Sequence, residues 1–263
     1  RVRPMATPAD KLKFKLIVAY DGTNYEGWQV QKVGVGVQQK IEEAIQVIWP
    51  SVKRIHSSSR TDAGVHARGM VAHVEIPKDE LRMSARKLPL ALNANLPDDI
   101  RITNAARAPA EFHARFDAKG KQYRYQVWNH RVMNPLLRHT AWHVPGELNL
   151  PAMREATKSF VGKRDWKSLA NSRDYDMETT IRTLHHCDLR KSGELLTFAI
   201  EGDGFLYKMC RNIVGMLIQV GQGKLTPENV EASLAACDRR AGGVAAPAKG
   251  LILWEVFYDK KRE

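Results

Sequence analysis

Apolar residues alternate with polar ones along two short segments of the first hundred residues, 13–20 and 70–76. Alternation with period two is typical of a strand that buries one face. Between them, residues 37–49 carry apolar side chains at helical spacing, and Pro50 closes the predicted helix. The polar segment 57–66 is therefore a predicted loop just ahead of a strand, a position where functional side chains are often found.

The rest of the chain repeats this alternation of strands and helices. Gly162 and the Thr226-Pro227-Glu228 sequence supply helix stop and start signals, and Lys191-Ser192-Gly193 supplies a hairpin turn. The predicted elements are a strand at 123–127, a helix at 151–161, a hairpin at 184–200, a helix at 209–220, a helix from 226 and a strand at 251–258.

The turn-rich stretch from Asn95 to Ala110 is the predicted boundary between two halves. We expect a tail at 1–12, an N-terminal α/β half at 13–108 and a C-terminal α/β half at 109–263. The predicted fold class is α/β (α+β), with two related halves. Each half would have a mainly antiparallel mixed sheet with helices on one face, and the halves would meet at a basic cleft.

Composition narrows the function classes. The 263 residues carry a formal net charge of +12, dispersed along folded-looking sequence, which favours a nucleic acid as partner over a membrane. No apolar run is long enough to span a membrane. Three cysteines without metal-ligand spacing indicate a reducing compartment such as the cytoplasm, although a chain that begins with Arg is compatible with a removed leader.

The segment Arg60-Thr61-Asp62-Ala63-Gly64-Val65-His66 is the strongest chemical candidate. Arg60 can keep the Asp62 carboxylate ionised when the site closes, and the small Ala63 and Gly64 let a ligand approach. Taken alone, an Arg-x-Asp loop is more often a structural ion pair than a catalytic group.

Two other functions for these residues are weaker. The histidines His66, His73, His185 and His186 share no metal-ligand spacing, so we expect no metal. An aspartic protease would use an Asp-containing loop from each of two subunits. Here, however, Ala63 replaces the usual hydroxyl residue, and the positive charge gives no reason for a peptide substrate.

Six motifs follow one another along most of the chain: Tyr20 to Gln29 (YDGTNYEGWQ), Arg60 to His66 (RTDAGVH), Asn93 to Pro97 (NANLP), Phe112 to Phe116 (FHARF), Tyr123 to Tyr125 (YRY) and Met209 to Gly215 (MCRNIVG). In sequence and in order, they resemble blocks of the TruA family of tRNA pseudouridine synthases.

The resemblance implies the pseudouridine synthase fold and an isomerase that detaches uracil from C1′ of a tRNA uridine, rotates it and rejoins it through carbon. Asp62 matches the family's catalytic aspartate. Attack at uracil C6, attack at C1′ and deprotonation at C2′ all stay open. No cofactor is expected, and the chain has neither a P-loop nor a dinucleotide-binding motif.

By the same resemblance, Tyr123 stacks on the target base and accepts a proton late in the reaction. Arg211 pairs with the catalytic aspartate, and Arg60 fills the gap left by the extruded base. His66 and Leu253 are assigned to the substrate pocket, with an ordinary core strand as the alternative for Leu253.

The implied substrate is the anticodon stem-loop of tRNA, at positions 38, 39 and 40, bound by a homodimer with no other protein partner. The alternative is a noncatalytic tRNA-binding or folding protein with the same fold. One departure from the family pattern is the acidic, glycine-rich Glu201 to Phe205, which puts local RNA contacts in doubt.

Overall fold

The computed structural model describes residues 10–171 and 179–259, which form two compact units. The first unit comprises the described residues up to Ala63 together with Ala67–Ala118. The second comprises Gly64–His66 and the described residues from Lys119 onward.

The first unit contains a sheet and two helices. Its sheet has the order β4-β1-β3, with β2 paired to β3, and these pairings are antiparallel. The elements are β1 (Lys11–Tyr20), α1 (Val37–Ile48), β2 (His56–Ser57), β3 (His66–Pro77, of which His66 belongs to the second unit), α2 (Leu88–Asn93) and β4 (Ile100–Ala108).

One face of this sheet forms the core. Phe14, Leu16 and Val18 alternate along β1 and are buried, because a strand points successive side chains to opposite faces. The α1 helix buries Val37, Ile41, Ala44 and Ile45 on one side, which is the predicted helical periodicity. The other face of β1 carries Lys11, Lys13 and Lys15.

The prediction that Asn95 to Ala110 is a boundary of turns is wrong, because Ile100–Ala108 form β4, which pairs with β1 along its length. Only Ile100, Ile102 and Ala105 are buried in this strand. A bulge opposite Ile17 and Val18 shifts the register there. The alternation is therefore interrupted, and small and polar residues hide the strand in the sequence.

The second unit is built in the same way. Its strands have the order β10-β5-β9-β8-β7 in antiparallel pairs, and β6 runs parallel to the end of β5. The elements are β5 (Gly120–Trp128), β6 (Trp142–His143), α3 (Leu150–Thr157), β7 (Gly162–Asp165), β8 (Ile181–Ser192), β9 (Leu195–Gly202), α4 (Met209–Gly221), α5 (Pro227–Ala235) and β10 (Leu251–Phe257).

Local sequence signals account for most of these elements. Thr226 caps α5 by accepting from the N–H of Asn229, whose side chain accepts in turn from the Thr226 N–H. The α3 helix, which ends four residues earlier than predicted and continues as a 3-10 turn, packs on α4, α5 and β8. Mainly antiparallel sheets with packed helices confirm the predicted α/β fold class.

In the structure, the first unit ends at Ala118. The sequence pattern predicted that the N-terminal half ends at residue 108. The intervening Phe112 to Asp117 segment belongs to the first unit because it packs on β3, where the Ala114 N–H donates to Nδ1 of His73 at 3.1 Å. Of the predicted tail, residues 11–12 lie in β1 and residues 1–9 lie outside the described part.

Cys187, Cys210 and Cys237 are free thiols. Among the described residues, no helix combines the length and the apolar character needed to cross a bilayer.

His73 is a buried histidine on β3 whose Nδ1 accepts a backbone N–H. Burial, together with the positive charges that His113, His56 and Lys13 can carry, lowers the pKa of His73 from 6.5 to about 4. Between these values the unfolded chain binds the proton and the folded chain does not.

We therefore expect the stability that His73 contributes to be present above pH 6.5 and to be lost as the pH falls toward 4, by at most about 3 kcal/mol. Urea unfolding at a series of pH values measures it. His73→Gln should flatten the pH dependence in this window, whereas the exposed control His185→Gln should keep the wild-type slope. An unchanged slope in His73→Gln would contradict the assignment.

Candidate active site

The loop that carries Asp62 is held in the first unit by the segment that follows β1. The backbone N–H of Trp28 donates to the carbonyl oxygen of Thr61 at 3.1 Å. The Tyr20 hydroxyl and Thr61 Oγ1 are hydrogen-bonded at 2.7 Å in a buried position. The residue that precedes Asp62 is thus fixed through both its backbone and its side chain.

Gly27 lies directly against the backbone of this loop. It has φ +88°, and a Cβ at this position would lie 2.4 Å from the Thr61 carbonyl oxygen and 3.0 Å from the carbonyl carbon of Asp62. Only glycine combines this left-handed conformation with so close an approach. The glycine therefore sets where the backbone of Asp62 runs.

The segment from Tyr20 to Trp28 is itself fixed by local turn chemistry. Asp21 Oδ1 accepts from the N–H of Thr23 at 3.0 Å, as an aspartate commonly does in a turn. The Tyr25 hydroxyl donates to Asp99 Oδ1 at 2.6 Å, and the Trp28 carbonyl accepts the N–H of Gln38 at the start of α1. Sheet, turn and helix together support the Asp62 loop.

Tyr20 is a support for this loop and not an acid or base. Burial raises the pKa of its hydroxyl far above the ordinary range, and the hydrogen bond with Thr61 offsets this only in part. Tyr20 therefore stays neutral at physiological pH and keeps its bond to Thr61.

Asp62 is half-buried, and Arg60 is exposed. Thr61 points into the core between them. Arg60 is accordingly presented to solvent, where a phosphate or a base can reach it.

The end of the same motif belongs to the second unit. Gly64 has φ +74°, a left-handed conformation that favours glycine. His66 is only 4% exposed, and its Nε2 lies 2.9 Å from the His139 carbonyl oxygen and 3.0 Å from that of Lys249. Because carbonyl oxygens only accept, Nε2 carries the hydrogen. His66 therefore anchors backbone.

Tyr123 and Leu253 are brought together in the second unit, where they lie opposite each other on β5 and β10. Tyr123 is 7% exposed, and the ring of Phe205 meets its ring edge-on at a centroid distance of 5.0 Å. The Tyr123 ring is thus clamped between a strand neighbour and an aromatic edge, which orients it.

Arg211 lies on α4, half-buried, and its Nε donates to the carbonyl oxygen of Ala246 at 2.7 Å. The Tyr125 hydroxyl donates to the next carbonyl, that of Pro247, at 2.7 Å. Burial raises the pKa of Tyr125, and Arg211 partly offsets the increase. We call residues 246–249 the carbonyl segment, because Arg211, Tyr125 and His66 all contact its backbone oxygens.

The acidic segment Glu201 to Phe205, which departs from the family pattern, makes contacts within the second unit. Glu201 is buried at the end of β9 and its Oε2 accepts from Nε2 of Gln122 at 3.3 Å. Asp203 Oδ1 accepts from the N–H of Thr183 at 3.0 Å. These carboxylates are engaged within the second unit.

Sequence reasoning missed three contributors to the site. In the sequence, Gly27 and Thr61 stand out only as members of motifs, and Phe205 only as the end of the acidic Glu201 to Phe205 segment. The sequence spacing gives no sign that Gly27 touches the Asp62 loop, because the contact joins residues 34 positions apart. An aromatic residue ahead of the Arg211 helix was the available signal for Phe205.

Comparison with known proteins identifies relatives over nearly the whole chain. The family described as tRNA pseudouridine synthase matches residues 16–117 and 156–259. The tRNA pseudouridine synthase A of Geobacillus kaustophilus is 43% identical over 94% of this chain and 95% of its own length. That of Geotalea uraniireducens is 44% identical over 94% and 99%, and that of Bacillus subtilis 41% over 94% and 100%.

The contact of Gly27 with the Asp62 loop yields a stability prediction. Gly27→Ala should lower the free energy of unfolding by about 3 kcal/mol, because it adds a backbone clash to an unfavourable φ. Gly146→Ala, at φ +93° with nothing within 4 Å of the added Cβ, should cost only about 1 kcal/mol. Urea unfolding measures both.

Amide hydrogen exchange localises the effect. The Trp28 amide, which donates to Thr61, should exchange faster in Gly27→Ala and at the wild-type rate in Gly146→Ala. Equal costs for the two variants, with an unchanged Trp28 amide, would show that Gly27 does not position the loop.

Proposed function

The chain belongs to the tRNA pseudouridine synthase family, and we propose that it isomerises uridines at positions 38, 39 and 40 of the tRNA anticodon stem-loop with Asp62 as nucleophile. The chain converts uridine to pseudouridine in tRNA, as its relatives' names state for them. The positions and the residue roles are the finer part of the proposal.

The reaction is an isomerisation and needs no redox partner. The bond between N1 and C1′ breaks, a bond between C5 and C1′ forms, C5 loses its proton to solvent and N1 gains one. Atoms and electrons balance without a cofactor. An ionised carboxylate serves this chemistry whether it attacks C6, attacks C1′ or removes the C2′ proton.

The observation that carries the Asp62 assignment is the rigid, half-buried position of its loop. Thr61 is bonded to Tyr20 and Trp28, and Gly27 packs on the backbone of Asp62. A nucleophile contributes most when it is held in reacting geometry before the substrate arrives. The loop also lies within the first matched range of the family, residues 16–117.

The roles of the other candidate residues are inferred from their surroundings. The clamped ring of Tyr123 offers a face for the target base, with Leu253 beside it as an apolar wall. The exposed Arg60 replaces the base that leaves the stack. Arg211 holds the carbonyl segment through Ala246, and His66 acts on the substrate pocket through its contact with the same segment.

Charge supports tRNA as the partner. A net charge of +12 attracts the phosphate backbone, which supplies sequence-independent affinity. Shape and backbone recognition suits a stem-loop in which several neighbouring uridines react. The free thiols fit a reducing compartment, and we place the reaction in the cytoplasm.

Tritium release tests the assignment of Asp62. Unmodified tRNA labelled at uracil C5 should lose tritium to water in the presence of the wild-type protein. Asp62→Asn should lower the rate by at least about 1,000-fold, because only binding and proximity remain. Affinity for tRNA should stay within about threefold, since few phosphate contacts change.

Asp98→Asn is the matched control, because it removes one carboxylate from a fully exposed position of the same unit and should keep the wild-type rate. Mapping of pseudouridine in the product checks positions 38, 39 and 40. Binding without tritium release by the wild type would favour the noncatalytic tRNA-binding alternative. Equal rates for wild type and Asp62→Asn would remove Asp62 from the mechanism.

We further propose a homodimer, on the strength of the family resemblance. With a chain mass of 29.7 kDa, the species in solution should have about twice that mass at micromolar concentration. Sedimentation equilibrium measures it. A single 29.7 kDa species across this range would contradict the dimer.

A further inference from the structure

A cluster of aromatic and imidazole rings lies on the sheet of the first unit, at a position that the proposed mechanism does not use. We call it the aromatic patch and define it as His56, His73, Phe112, His113 and Phe116. His56 on β2 pairs in register with His73 on β3, and His73 pairs with Lys15 on β1. These residues occupy the face of β1 that carries lysines, opposite the buried Phe14, Leu16 and Val18.

The rings form a continuous series from the sheet to the surface. His56 stacks on His73 at a centroid distance of 5.1 Å, and His113 meets His73 edge-on at 4.8 Å. Phe116 packs against His113 at 4.2 Å. Phe116 ends the series and is 72% exposed, so that most of its ring faces solvent.

Hydrogen bonds hold the backbone that carries Phe116. The N–H of Ala114 donates to Nδ1 of His73, and the N–H groups of Arg115 and Phe116 lie 3.1 and 3.3 Å from Nδ1 of His113. The N–H of His113 donates to Oδ2 of Asp117 at 2.9 Å, which closes the turn. The exposed ring is therefore held in place before any partner binds, which lowers the entropy cost of binding.

Cations accompany the rings. The guanidinium of the exposed Arg115 lies 5.8 Å from the centroid of Phe116, and Nζ of Lys15 lies 5.8 Å from that of Phe112. The nearby acidic groups are engaged in part: Glu75 pairs with Lys13 at 3.2 Å, Asp117 accepts from backbone, and Glu111 is exposed. A flat exposed ring with an adjacent guanidinium matches a nucleotide, which combines a π face with a phosphate.

Other ligands fit this patch less well. A stable protein interface buries about 800 Å² on each side around an apolar centre, whereas Phe116 is a single apolar ring among imidazoles and charges. In the ranges 10–171 and 179–259, no three or more His, Cys, Asp or Glu side chains are arranged to hold a metal ion. The Nδ1 atoms of His73 and His113 are, in addition, occupied by backbone donors.

We propose that Phe116 is a stacking platform for an unpaired base of the RNA substrate, other than the uridine that reacts, and that Arg115 contacts the neighbouring phosphate. The inference rests on the proposed function. The patch lies at His73, six residues along β3 from Ala67, which is about 20 Å at the rise of a strand. A single nucleotide cannot span that distance from the Asp62 end of the strand, so the patch holds a different nucleotide.

Binding and turnover of tRNA by three variants test this proposal. Phe116→Leu keeps an apolar side chain but removes the aromatic face, and it should raise the Kd for full-length tRNA about tenfold. Phe116→Tyr should bind within about threefold of wild type, because it keeps the ring. Arg115→Gln should weaken binding and lower the salt slope of log K by about 1, as the loss of one phosphate contact does.

The tritium assay separates this proposal from the proposed function. Phe116→Leu should raise KM while kcat at saturating tRNA stays at the wild-type value, since Phe116 does not touch the reacting atoms. Leu90→Ala, which shortens another exposed apolar side chain of the same unit, should leave Kd and KM unchanged. Thermal unfolding confirms that each variant is folded.

If the wild-type protein releases tritium and Phe116→Leu has the same Kd and KM as the wild type, the stacking platform is overturned and the proposed function stays intact. A change in oligomeric mass for Phe116→Leu with an unchanged Kd would identify the patch as a protein contact, and would also overturn it. Absence of release by the wild type would instead refute the proposed function.

Discussion

The close contact between Gly27 and the backbone of Thr61 and Asp62 is the constraint on which the Asp62 loop depends. Because Gly27 has no side chain, the two backbone segments lie in contact. The Trp28 N–H then reaches the Thr61 carbonyl oxygen, and the Tyr20 hydroxyl reaches the Thr61 side chain. A loop that carries a half-buried carboxylate would otherwise be costly to order, since each fixed residue loses about 1–2 kcal/mol of conformational entropy. The turn after β1 and the start of α1 supply this order.

In the second unit, Arg211, Tyr125 and His66 fix irregular backbone through hydrogen bonds to carbonyl oxygens. Each contacts a carbonyl oxygen of the carbonyl segment, which begins outside regular secondary structure and runs into the 3-10 turn Ala248–Gly250. Buried carbonyl groups need such partners. Arg211 and His66, two of the candidate site residues, therefore also hold irregular backbone, which explains how a basic side chain can be positioned before the substrate binds.

Aromatic residues have two different environments in this protein. Tyr123 is clamped by Phe205 and strand neighbours, so its ring is oriented and nearly inaccessible to bulk water. Phe116 is held through its backbone and packs against His113, and most of its ring stays exposed. A buried oriented ring suits a reacting base, and an exposed rigid ring suits a base that is only held.

Much of this could be predicted from the sequence because it depends on local periodicity. The strand at 13–20, the α1 helix, the hairpin around Gly193 and the capped α5 helix follow from alternation, helical spacing and turn residues. The motifs that include Asp62 and Tyr123 indicated the family because each consists of residues that are contiguous in the chain and can be recognised without the fold. The β4 strand escaped prediction because a bulge and small residues interrupt its alternation.

What the sequence alone determined was the elements with clear periodicity, the α/β class and the identity of the candidate chemical groups. Only the tertiary structure decided that Gly27 supports Asp62 and that Phe205 clamps Tyr123. It also showed that His66 holds backbone and that Phe112 to Asp117 belongs with β3. The physical reason is that these contacts join residues far apart in the chain. Their existence depends on register and close packing, which leave no periodic trace in the order of residues.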